Sequence, residues 1–162
     1  MALTITRNKA LVGVAVLLAS GCARPHVSPL SPPPYRAEVR APYDLAWMAL
    51  VHALAKGNIP LRAIARDSGV IASDEFLTPI GVFADCGRIG DDRIEGEAVV
   101  SFTIFAEDNG PETRLMINSK MRTQAARRGS SGKLNATPVY QCASTGRFEA
   151  NLFDAVQEST KK

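Results

Sequence analysis

Two alternating runs joined by Asn109-Gly110 constrain this chain more than any other feature. Val100, Phe102, Ile104 and Ala106 alternate with Ser101, Thr103 and Phe105, and Leu115, Ile117, Ser119 and Met121 continue the pattern beyond the turn. Successive side chains of a strand point to opposite faces, so each run presents one apolar face. Asn-Gly between two such runs is a strong hairpin signal, because the favoured turn needs positive φ at its central residues. The middle of the chain is therefore an antiparallel hairpin with a face that must be covered.

Two amphipathic segments supply the cover. Pro42 and Asp44 open a helix on which Tyr43, Trp47, Leu50, Val51 and Leu54 recur at three- and four-residue spacings, and Gly57-Asn58 with Pro60 ends it. A second helix follows Gly146, with Phe148, Leu152, Ala155 and Val156 on one face and Glu149, Gln157 and Glu158 around it. Short strands are expected over Tyr35 to Arg40, Leu61 to Arg66, Val70 to Ser73 and Val139 to Cys142; Asp67-Ser68-Gly69 is a tight turn between the middle two. The order strand, helix, strands, helix predicts an α+β domain over residues 35–162. Its antiparallel sheet carries both helices on one face, and the other face or the edges stay available. Glu75 to Glu95, with Pro79, Gly81, Gly87 and Gly90, reads as irregular. Its Phe76, Leu77, Ile80, Val82 and Phe83 either cap the core or form a contact patch.

The first residues belong to no fold. Arg7 and Lys9 precede an apolar run from Ala10 to Ala19, and the small residues Ser20 and Gly21 follow, which is the order of a secretory signal peptide over 1–21. The run is about half the ~20 residues of a permanent membrane span. Leu18-Ala19-Ser20-Gly21-Cys22 resembles the lipobox of bacterial lipoproteins, with Ala19 where Leu is usual. The resemblance implies cleavage after Gly21 and acylation of Cys22. Ala23, rather than Asp, follows the cysteine, which in such lipoproteins implies the periplasmic face of the cell outer membrane. Cys22 to Pro34 holds Pro25, Pro29, Pro32, Pro33 and Pro34, the composition of an extended tether, with His26 solvated in it.

Without the signal peptide the chain has about 140 residues, enough for one domain with a core. Its 19 basic residues fall by Arg7 and Lys9 against 16 acidic ones, a near-neutral balance that argues against nucleic acid as a partner. Cys86 and Cys142 remain as an even pair in an oxidising compartment and are expected to form a disulfide. Closing a loop of about 57 residues stabilises by roughly 4 kcal/mol on loop entropy.

No catalytic constellation is legible. Asp74-Glu75 and Asp91-Asp92 are adjacent pairs whose side chains diverge in an extended chain. The two histidines, His26 and His52, fall on the tether and a helix flank, away from any serine or cysteine that needs a base. Gly129 to Gly132 precedes no helix, there is no Cys-x-x-Cys, and neither a metal nor another cofactor is expected. The loop Ala125 to Thr137 carries Arg127, Arg128 and Lys133, a candidate contact for lipid phosphates or an acidic partner if it is not simply solvated.

Tyr43-Asp-Leu-Ala-Trp47, the run Ile59 to Asp67, and Ser68-Gly-Val-Ile-Ala-Ser73 together resemble the repeat unit of BamC-like helix-grip envelope lipoproteins. Asp67, Gly69, Ile71 and Ser73 match its Asp-x-Gly-x-Ile-x-[Ser/Thr] segment. The closing Cys142-Ala-Ser-Thr-Gly146-Arg-Phe-Glu149 resembles the end of small single-domain lipoproteins of the same layout. The resemblance implies a helix-grip domain and an accessory role beside the outer-membrane β-barrel assembly machinery or another envelope complex. That group has two such domains and a long arm; this chain has one domain and a short tether. The chain is therefore read as a non-catalytic envelope module with a protein partner, the alternative being a lipid or small-ligand binding protein.

Overall fold

The computed structural model describes residues 25–124 and 138–161. In chain order the elements are β1 (His26–Val27), β2 (Tyr35–Val39), α1 (Tyr43–Lys56), β3 (Leu61–Ala65), β4 (Val70–Ser73), β5 (Phe76–Pro79) and β6 (Ala84–Asp85). These are followed by β7 (Arg88–Ile89), β8 (Asp92–Arg93), β9 (Glu97–Asn109), β10 (Glu112–Gln124), β11 (Val139–Ser144) and α2 (Arg147–Ser159). The fold is α+β, an antiparallel sheet with both helices on one face.

β9 and β10, 13 residues each, form the spine. Their register sets Asn109 opposite Glu112, so the two loop residues are Gly110 and Pro111, one position later than Asn109-Gly110 suggests. Gly110 has a φ of 74° and proline follows it, a sequence that suits the turn with glycine at its first central position. The spine strands outrun their neighbours, so each outer edge is served by two short strands. β4 and β5 pair with β9, and β2 and β11 pair with β10. In the gap between β4 and β5 the buried Ser73 hydroxyl accepts the Phe102 N–H at 2.9 Å. A buried amide is thus satisfied where the ladder skips.

The two helices and the spine enclose the main core. Trp47, Leu50 and Leu54 of α1 and Leu152 and Val156 of α2 meet Ile71, Phe102, Ile104, Leu115 and Ile117 of the sheet. The expected stripe on α1 is the buried one. On α2, Ala155 is exposed and Glu149 is buried instead, because α2 turns its first-turn carboxylate toward the sheet. Gly69, at a φ of 66° in the β3–β4 turn, lies so close to the spine that a Cβ would sit 2.0 Å from the Ala106 carbonyl oxygen. Only glycine lets that turn dock there.

A second cluster continues the same sheet face beyond the helices: Ala84, Cys86, Ile94, Ala98, Val100, Met121 and Cys142. Its lid is the segment expected to be irregular. Much of that segment is ordered, as β5 on the spine and as the small sheet β1-β7-β8. Of the two readings of its apolar residues, Phe76 caps the core, edge-on to Phe102, whereas Leu77 points outward and is 60% exposed. Within the proline-rich segment, His26 and Val27 are docked rather than free. β1 pairs with β7, the His26 ring lies 4.3 Å from that of Tyr140, and its Nε2 is 3.2 Å from the Cys86 carbonyl oxygen. An aromatic neighbour and a backbone acceptor are enough to hold His26 against the domain instead of in water.

Candidate functional site

The face of the sheet opposite the helices carries the most conspicuous surface. On it the register lines up Val70, Phe105, Met116 and Arg36 across four strands, and next to them Glu107, Arg114 and Glu38. Arg114 bridges both carboxylates, at 3.2 Å from Glu107 and 3.7 Å from Glu38. Farther along, Leu77, Val99, Arg122 and Gln141 form another row, and both oxygens of Glu75 take the Arg122 guanidinium at 2.8 and 2.9 Å. Arg36 and Lys120 have no ion-pair partner among the described residues. Phe105 is 40% exposed. No described element packs on this face, which therefore presents apolar rows framed by charge.

A groove of about 770 Å³ opens from this face beside the β3–β4 turn. Phe105 and Met116 line one side, and Tyr43, Asp44 and Arg66 the other. The Tyr43 hydroxyl donates to the Arg66 carbonyl, Arg66 pairs with Asp44 at 2.6 Å, and Trp47 stacks on Tyr43. The groove wall is thus braced from α1 and the β3–β4 turn together. Burial raises the Tyr43 phenol above its usual range, against the opposing pull of Arg66 and with smaller contributions from Asp67, Asp44 and Asp108, so it is a neutral hydrogen-bonding group at physiological pH. Sequence reasoning placed Tyr43 on an apolar stripe and missed this bracing, because the contact joins the start of α1 to the β3–β4 turn 23 residues later.

Glu149 is a second feature that sequence reasoning left on the surface. It is buried, and its oxygens accept the Ser119 hydroxyl at 2.7 Å and the Ser144 hydroxyl at 2.8 Å. Ser144 Oγ in turn accepts the Gly146 N–H at 3.0 Å. The carboxylate sits three residues after Gly146, the N-cap of α2, where a glutamate commonly reaches back to the chain entering its helix. That spacing is the signal that could have found it. Both oxygens are occupied, so Glu149 fixes the entry of α2 onto the spine. Burial first, then the Asp154 and Glu149 carboxylates, raise the neighbouring Tyr35 phenol. Glu149→Ala is expected to cost about 1–3 kcal/mol, since it strands two hydroxyls, and Glu149→Gln less. Urea unfolding of the two variants checks this; equal stability of Glu149→Ala and the parent would remove the lock.

The other sequence candidates fall apart in space or outside the described residues. Cys86 and Cys142 are joined by a disulfide. Cys22, the signal peptide and the loop cations Arg127, Arg128 and Lys133 lie outside the described residues. Asp74 is exposed beside Glu75, which is taken by Arg122, and Asp91 and Asp92 bound the β7–β8 turn. His52 is exposed on α1. Ser28 and His26 approach to 3.1 Å, but the other ring nitrogen is held by the Cys86 carbonyl, which makes the histidine a strut for β1. No cluster of metal-ligating side chains occurs among the described residues, nor any helix long and apolar enough to cross a membrane. No protein-family model matches the chain, and no curated protein is significantly similar to it.

Proposed function

We propose that this chain is a lipoprotein of the cell envelope, held through acyl chains on Cys22 at the periplasmic face of the outer membrane. Its domain is a non-catalytic accessory module that binds another envelope protein, in the manner of the BamC-like lipoproteins. The observation that carries the partner reading is the contrast between the two sheet faces. The space between the helices and the sheet is filled by the side chains of two clusters, so that interior offers a carried ligand little room. The other side presents Phe105, Met116 and Leu77 among arginines, the mixture of aromatic, methionine and arginine that protein interfaces favour. The groove beside Tyr43 is open to that face and suits a partner side chain.

Two measurements test the proposal. Two or three acyl chains, at ~0.8 kcal/mol per buried methylene, anchor essentially permanently, so Cys22→Ser should move the protein into the soluble fraction. Unchanged sedimentation with membranes would sink the anchor. For the partner, a photoreactive residue in place of Phe105 should cross-link to an envelope protein in intact cells. The same residue in place of Met48, exposed on the helix side, should not. Equal adducts from both positions, or none, would overturn the assignment of the binding face.

A further inference from the structure

We infer that the end of the domain built by β1, β7 and β8 is apposed to the bilayer, with Val27, Arg88 and Arg93 facing the lipid phosphates. The inference rests on the proposal that Cys22 is lipidated. Chain length is its first support. From Cys22 to His26 the chain reaches at most about 14 Å, at ~3.6 Å per residue. His26 is fixed to the domain by pairing, ring contact and hydrogen bond, so this end stays within that distance of the acyl chains. A tether free up to Tyr35 would reach about 45 Å and leave the orientation open.

The register supplies the chemistry. Val27 lies opposite Arg88, and Arg88 opposite Arg93, so the three side chains share one face while Ile89 and Asp92 take the other. Val27 is 58% and the nearby Leu30 94% exposed. Like charges directly opposite in a sheet repel. Neither arginine has a carboxylate partner among the described residues, and Arg88 donates to the Asp91 carbonyl at 3.2 Å. Asp91 itself is exposed at the turn beside them. A phosphate between two guanidiniums relieves their repulsion through paired N–H···O bonds. Exposed aliphatic side chains beside cations suit the boundary of headgroups and acyl chains.

The test uses the lipidated full chain in vesicles of phosphatidylethanolamine with a minority of phosphatidylglycerol, their acyl chains brominated to quench tryptophan. Trp47 is buried and serves as the common background. Val27→Trp should be quenched roughly twofold or more above Leu45→Trp, which lies toward the hairpin tip, about 33 Å of strand away. Arg88→Glu with Arg93→Glu should abolish that excess while the mass of the acylated N-terminal peptide is unchanged. Equal quenching at positions 27 and 45 on acylated protein would overturn the apposed face and leave the anchor standing. Absence of acyl mass on Cys22 would overturn both.

Discussion

Replacing Cys86 and Cys142 together by alanine is expected to lower the unfolding free energy by roughly 4 kcal/mol. The bond closes a loop with a sequence separation of 56 residues, and a domain of this size commands only about 5–15 kcal/mol in total. The pair is buried in the second cluster, and alanine leaves no unpaired polar atom there. The loss should also be uneven in space. β6, β7, β8 and β1 are two-residue strands whose ladders are too short to stand alone, and β6 is held to β11 by residues adjoining Cys142. β1 in turn hangs on the Cys86 carbonyl. Amide exchange should therefore accelerate across residues 84–94 and in β1 well before it does in β9. Urea unfolding gives the global number and exchange by residue gives the pattern. A global loss under about 1 kcal/mol, or exchange that rises uniformly, would show that the lid is held by its contacts rather than by the bond.

What the sequence made legible is what repeats at short range. The period-2 runs around Gly110 and the 3.6-period stripe of α1 needed only neighbours, and the faces they predicted are the buried ones. The lid was not legible, because its order comes from partners far away in the chain: β5 from β9, β6 from β11, β7 from β1. Two-residue strands carry no periodicity to detect. His26 and Glu149 failed for a related reason. Each is a polar residue with good local grounds for facing water; His26 is held in by Cys86 and Tyr140, which only the tertiary fold brings near, and Glu149 by the distant Ser119 as well as the local Ser144. The open face was legible as an alternation and not as a surface, because the rows Val70-Phe105-Met116 and Glu107-Arg114-Glu38 depend on a register across four strands.

Phe102 and Phe105, three residues apart on β9, should separate stability from binding. Phe102 is buried between Phe76 and Phe148, whose ring centroids lie 6.1 and 5.2 Å from its own. Phe102→Ala removes the centre of that aromatic group beneath both helices and is expected to cost about 3–5 kcal/mol. Phe105 points to the other face, over Met116, and is 40% exposed, so Phe105→Ala should cost about 1 kcal/mol or less. If the open face binds a protein, the ranking reverses for association. A central aromatic at an interface contributes about 2 kcal/mol or more, equivalent to about 30-fold in affinity. With a photoreactive residue at Leu77 as reporter, Phe105→Ala should cut the adduct more than about tenfold while unfolding in urea at nearly the parental midpoint. A conservative core change, Phe102→Leu, should leave the adduct intact while lowering stability. Adduct yields that follow stability across the three variants would mean that Phe105 is an ordinary surface aromatic and that the partner contacts another part of the domain.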